Sequence, residues 1–218
     1  IYALGSFFTE AGEQFVSDDG SKADGYVNSD ASVKAAEYLN EFIKNGYANL
    51  DPVKDEFLNG KAATLLGGSW NIADLEKSNL NWGVSYFPVA DDGKAVSPTG
   101  DWAAAITKDS KNPDAAGKFL QWAMNSDNIA SYASAVAKPA SRTSSYDKME
   151  GWDSGARALM KWQLQNTGVS RPRTPSYSVL STDFSTAMLN IFSGSDAKEE
   201  LDNVAKNFDE NYEMYYKK

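Results

Sequence analysis

The 218-residue chain contains no cysteine and no histidine. Their absence excludes Ser-His-Asp and Cys-His catalysis and every zinc site built on thiolate or imidazole ligands. It also excludes disulfides, which leaves the redox compartment open, because disulfide-free proteins occur on both sides of a membrane. Positive charge is scarce. Lys and Arg number 21 against 30 Asp and Glu, giving a formal net charge of −9 and a pI near 4.6. Phosphate binding needs clustered cations, so this balance speaks against nucleic acid or an anionic membrane surface as a partner. No apolar run approaches the roughly 18 residues of a membrane-spanning helix.

What is present is ordinary in bulk. Apolar residues make up 42% and charged residues 23%, as in globular domains, and the length suits one large domain or two small lobes. Aromatics reach 12%, with six Trp and eleven Tyr. The chain opens on Ile, and "IYALGSFFTEAGEQF" reads as mid-domain material without a signal peptide. It is therefore expected to be a piece of a longer protein.

The clearest helix is expected at 29–46, with Ser29 or Asp30 as cap, Val33, Ala36, Leu39, Phe42 and Ile43 at helical spacing, and Gly46 as terminator. "DPVKDEFLNGK" predicts a short helix ending at Gly60, "AATLLGG" a buried strand, and "NIADLEKS" another short helix. Val84, Tyr86 and Phe87 favour a strand, and one or two more are expected between Val96 and Ile106. A helix should start at Asn112 as cap, Pro113 at its first position and Asp114 against the dipole, with Ala116, Phe119, Leu120 and Ala123 as its apolar face. Further helices are expected in 128–138, 152–167, 181–193 and 196–216, the last opened by Asp196 with Glu199 three residues on. Strand–helix alternation implies a helix-rich α/β fold.

Two tryptophans stand apart from this pattern. Trp70 closes "TLLGGSW" and Trp102 follows Gly100 and Asp101 in "SPTGDWAAAI", each just past an expected strand where the chain should be leaving the core. Glycines at Gly67 and Gly68 would let the backbone turn sharply there. Trp82, Trp122, Trp152 and Trp162 read as packing residues, Trp122 beside Phe119 and Leu120, and Trp162 three after Leu159. The acidic stretch "SDDGSKADG" lacks the spacing of a calcium loop and reads as a solvated turn. No metal site and no cofactor is expected.

The order "FIKNGY", "EFLNGKAATLLGGSW", "NWGVSYFPV", "TGDWAAAITKDSKNPDAAGKFLQWAMNSD", "RPRTPSY…STDFSTAMLNIFSG" resembles the extracellular solute-binding proteins of ABC importers, family 1, in their maltose-type sugar-binding branch. The resemblance implies a type II periplasmic-binding-protein fold, with two α/β lobes and sugar held in the cleft between them. Residues 1–102 would then be the first part of the C-terminal lobe, 103–146 a crossover belonging to the N-terminal lobe, and 147–218 the return. Residues 103–146 should normally pack on the other lobe, and on their own should be mobile, repacked or engaged with another molecule.

Sugar recognition combines aromatic faces on the C–H face of a pyranose with carboxylates, amides or Arg around its edge. The resemblance places Trp70 on the sugar face, Asp101 and Trp102 at the back of the cleft, and Tyr2 at a stacking position. It brings Arg173 and Tyr177 to the cleft border and Phe184 near a stacking site; Phe184 also reads as core with Met188 and Ile191, and Arg171 competes with Arg173. The function implied is capture of a sugar or oligosaccharide and delivery to permease subunits, without catalysis. The protein would act as a monomer at full length, lipid-anchored on the outer face of the cell membrane or free in a periplasm. The alternatives are a carbohydrate-active enzyme using paired carboxylates (Asp101 with Asp183, or Glu10 with another acid), a binder of a non-sugar solute, and a ligand-free interaction module.

Overall fold

The computed structural model describes residues 4–10, 14–50, 55–87, 96–100 and 102–216. These fall into two compact units, Ile1–Lys54 with Phe87–Thr99 and Gly168–Lys218, and Asp55–Tyr86 with Gly100–Thr167.

The first unit holds α1 (Gly5–Glu10), α2 (Asp30–Lys44), β1 (Ser97–Thr99), β2 (Gly168–Ser170), α7 (Tyr177–Phe192) and α8 (Ala197–Tyr215). Local chemistry sets the ends of its helices. Ser29 Oγ accepts the Ser32 N–H at 3.1 Å to open α2, and Gly46 leaves the helix at φ +70°. Asp196 Oδ1 accepts the Glu199 N–H at 2.9 Å to open α8. Leu201, Val204 and Phe208 on α8 meet Leu180, Phe184, Met188 and Ile191 on α7 in one buried cluster, which Ala36 and Leu39 of α2 and Phe8 of α1 complete. Phe184 is fully buried, with Phe8 and Phe15 edge-on at 5.0 and 5.2 Å between ring centroids. β1 and β2 pair in parallel, Pro98 opposite Val169, and the Thr99 hydroxyl donates to the Val169 carbonyl at 3.0 Å.

The second unit contains α3 (Ile72–Lys77), α4 (Pro113–Ala123), α5 (Ser126–Ala135) and α6 (Gly155–Asn166). Its buried cluster is smaller and gathers Ile129, Ala130, Ala133, Ala140, Tyr146, Met149 and Trp152. Asn125 caps α5 by accepting the Asn128 N–H at 2.9 Å.

Several expectations are corrected. The strands expected at 62–68 and 84–87 have no ladder partner among the described residues, whereas the expected stretch Val96–Ile106 contains one short strand, Ser97–Thr99, at the place where an interruption was expected. A strand exists by its neighbour's hydrogen bonds, so apolar composition alone does not make one; Leu65 and Leu66 are about half exposed. Residues 55–60 form turns rather than a helix, with Gly60 at φ +68° closing them. Asn112 makes no side-chain cap, and α4 buries none of its residues: Phe119 and Trp122, read as packing, are each 61% exposed. Helix α7 begins four residues earlier than expected. Residues 147–167 stay with 55–86 because Arg157 of α6 holds Glu76 of α3 in a two-pronged ion pair and Trp162 packs on Tyr86 at 4.9 Å.

Candidate functional site

A cavity of about 270 Å³ opens in the first unit. Its walls are α1 (Gly5, Ser6, Thr9), the segment Gln14–Asp18, the β1 flank (Val96, Pro98) and the run from Val169 through Arg173. The parallel β1–β2 pair brings the two distant pieces of wall together. Gly20 closes the arrangement from the other side. It adopts φ +72°, and a Cβ placed on it would stand 2.2 Å from the Arg173 carbonyl oxygen. Only glycine satisfies both conditions, so the turn 17–22 sits directly on the arginine backbone.

The same turn is tied by its own side chains. Ser17 Oγ donates to Asp19 Oδ1 at 2.6 Å, and Ser21 donates to that oxygen through Oγ at 2.7 Å and N–H at 3.1 Å. These hydrogen bonds hold the Asp19 carboxyl below the usual carboxylate range. The stretch expected to be a solvated turn is one, and among the described residues no cluster of three or more acidic side chains is placed to hold a metal ion.

Among the described residues, Arg171, Arg173 and Asp18 are the charged side chains that line it. The Arg171 guanidinium lies 5.9 Å from the centre of the Tyr177 ring, which begins α7. Just before it, Ser176 Oγ donates to Asn211 Oδ1 at 3.0 Å and fixes the start of α7 to α8. Ser6, 2% exposed, has a hydroxyl with no hydrogen-bond partner among the described residues.

In the second unit, the glycines of "TLLGGSW" prove necessary for contact rather than for a left-handed turn. Gly68 is extended at φ −136°, ψ −178°, and its N–H donates to Asn71 Oδ1 at 3.0 Å. A Cβ on Gly67 would stand 2.6 Å from that same oxygen, and one on Gly68 2.3 Å from the Trp70 indole. The indole therefore lies flush against bare backbone, with the residue 51% exposed. Trp102 is 91% exposed.

Of the residues expected at a site, the structure brings Arg173 to the cavity with Arg171, and Tyr177 to Arg171. Trp70 and Trp102 both lie in the second unit. Tyr2 and Asp101 lie outside the described residues, as does the Glu10 side chain, and with them both carboxylate pairings considered for an enzyme. Phe184 is corrected: a ring with no exposed surface, packed between Phe8 and Phe15, fills the core and presents no face to a ligand. The cavity's hydroxyl and amide lining (Ser6, Thr9, Gln14, Ser17, Ser170) was not anticipated. No short motif joins residues 5–18 to 168–173, and the only local signal was Gly20.

The chain matches the family model described as bacterial extracellular solute-binding protein over residues 2–159. It is 24% identical over 191 residues to the maltodextrin-binding protein MdxE of Bacillus subtilis (strain 168), covering 83% of this chain and 45% of that protein. It is equally 24% identical over 191 residues to the galactooligosaccharide-binding protein of the same organism, with the same coverage. Its fold is that of the sugar-binding protein MalE from the phytopathogen Xanthomonas citri, with a TM-score of 0.81 at 17% identity over 98% of this chain and 56% of that one. The chain thus spans about half the length of the relatives it matches.

Proposed function

Because the chain belongs to the bacterial extracellular solute-binding protein family, we propose that it is part of the sugar-capturing component of an ABC importer. The observation that carries this reading is Trp70. Its indole is pinned on the backbone of Gly68 with half of the residue's surface open, an aromatic face oriented before any ligand arrives. Preorientation removes the entropy cost of ordering a stacking side chain on binding. The relatives named for binding maltodextrin and galactooligosaccharide make an oligosaccharide the natural ligand class.

On this reading Trp70 and Trp102 stack on pyranose rings and Asp101 accepts sugar hydroxyls. Tyr2, Arg173 and Tyr177 complete the contacts. Closure of two lobes around the ligand is what permease subunits read, and no bond in the sugar is made or broken. The protein works outside the cell membrane, held by a lipid anchor or free in a periplasm. The uncovered apolar face of α4, with Phe119 and Trp122, is where the other lobe of such a protein packs.

The test is a tryptophan-fluorescence titration of the full-length protein against mono- and oligosaccharides, beside Trp70→Ala. Saturable binding that weakens at least about tenfold in the variant is expected, since an aromatic anchor at a binding site is worth about 2 kcal/mol or more. No response to any sugar removes the sugar reading, and release of shorter sugars on incubation replaces it with the enzyme reading.

A further inference from the structure

We propose that Asn71 is a positioning residue for the sugar site: its side chain clasps Gly68 and so sets the angle at which the Trp70 indole meets a pyranose. This rests on the sugar-binding reading above and adds to it a residue that acts through Trp70, not by a bond of its own to the ligand. Gly67 and Gly68 in succession give the backbone ahead of Trp70 the widest conformational freedom that two residues can have. An aromatic face carried on such a segment keeps one orientation only if the segment is tied down. Asn71 ties it twice. Its Oδ1 accepts the Gly68 N–H at 3.0 Å, and its own N–H donates to the Gly68 carbonyl at 3.0 Å. The two bonds close Gly68–Asn71 into a ring, with the reciprocity of a capping box and Trp70 at the bend.

The clasp stands on a fixed base. Helix α3 starts at Ile72, directly after it, and both Ile72 and Leu75 are buried. Farther along α3, Arg157 of α6 holds Glu76 with its second prong at 2.8 Å. Each glycine is then bare for a different neighbour. A Cβ on Gly68 would stand 2.3 Å from the six-membered ring of the Trp70 indole, so any shift of Gly68 moves the surface on which that ring rests. A Cβ on Gly67 would stand 2.6 Å from Asn71 Oδ1, so Gly67 leaves room for the clasp itself. The Asn71 amide, Gly67 and Gly68 thus work as one device whose output is the direction of the Trp70 ring.

The experiment uses the full-length protein and reads two quantities. The first is the near-ultraviolet circular dichroism of Trp70 without sugar, taken as the difference between parent and Trp70→Ala. The second is affinity for maltotriose and for galactotriose by isothermal titration. Asn71→Leu is close in volume but lacks the acceptor; it should lose at least about half of the Trp70 band and bind sugar about fivefold to tenfold more weakly, the scale of one hydrogen bond. Asn71→Asp keeps the acceptor and should recover most of both. Gly67→Ala should reproduce the losses of Asn71→Leu and add nothing when combined with it, because both act on one contact. On a Trp70→Ala background, Asn71→Leu should cost no further affinity. A Trp70 band unchanged in Asn71→Leu, a full additional loss on the Trp70→Ala background, or Asn71→Asp as weak as Asn71→Leu overturns the proposal and leaves the sugar-binding reading standing. A parent that binds neither trisaccharide, nor any sugar in the fluorescence panel, overturns both. Thermal melts separate loss of binding from loss of fold, and Gly67→Ala, whose methyl meets side-chain atoms and no backbone, decides the matter if Asn71→Leu does not fold.

Discussion

The two units solve the same problem, covering amphipathic helices, to different extents. In the first, α7 and α8 lie against each other and against α1 and α2, and eighteen buried apolar residues form one cluster among the described residues. In the second the corresponding cluster holds seven, and α4 contributes none of them although its sequence is amphipathic. Helix periodicity creates an apolar face; only a neighbouring element turns that face into stabilisation. The first unit is thus a self-supporting scaffold for the arginine-lined cavity. The second presents aromatic surface outward at Trp70, Trp102, Phe119 and Trp122.

The contrast can be broken most forcefully at Phe184. Phe184→Ala empties the junction of Phe8, Phe15 and α8 and should cost about 3–5 kcal/mol, seen as a lower urea midpoint. In the parent protein the amides of α7 should exchange with deuterium at least about tenfold more slowly than those of α4. Equal rates would mean that the second unit is as well supported as the first. Next in size is Gly20→Ala. The added methyl meets the Arg173 carbonyl at 2.2 Å in a left-handed residue, so a loss of about 2 kcal/mol is expected in denaturant melts. A neutral result would show that the 17–22 turn is free to move off the cavity wall.

Smaller effects sharpen the comparison. Asp196→Ala removes the cap of α8 and should cost about 1 kcal/mol, measured as a fall in Tm. In the second unit, the hydrogen bonds from Arg157 hold the Glu76 carboxyl below its ordinary value of 4.5. A depressed carboxylate pKa stabilises the folded form above 4.5, and that contribution disappears as pH falls through the lower folded value. Glu76→Gln should therefore cost about 0.5 kcal/mol at pH 7 and nothing once both folded and unfolded carboxyls are protonated. Melts of parent and variant across pH 2 to 7 check the sign, and a gap that widens toward acid would contradict it.

Much of the secondary structure was legible in the residues. Ser29 and Gly46 around α2, Pro113 and Asp114 opening α4, and Asp196 with Glu199 opening α8 act within one helical turn, so their chemistry is complete in a few consecutive positions. The long apolar repeat Leu201, Val204, Phe208 likewise needed only its own spacing to declare a buried face. Burial itself was less legible: Trp122, close to Phe119 and Leu120, is largely exposed, while Trp152, between Gly151 and Asp153, is nearly enclosed. The exclusion of histidine and cysteine chemistry and the acidic balance also followed from composition alone.

Tertiary structure decided what depends on partners distant in the chain. It withheld ladders from "AATLLGG" and "NWGVSYF", because strands are made by neighbours, and paired Ser97–Thr99 with Gly168–Ser170 across some seventy residues. It gave Gly20, Gly67 and Gly68 their reasons, each a close approach of another residue's atoms. It decided between the two readings of Phe184, ligand face and core, for the core, and gathered Arg171 and Arg173 with Gln14 and Ser6 around one cavity. Capping and periodicity are local interactions and can be read along the chain; pairing, burial and cavity lining are distances through space, which no stretch of residues contains by itself.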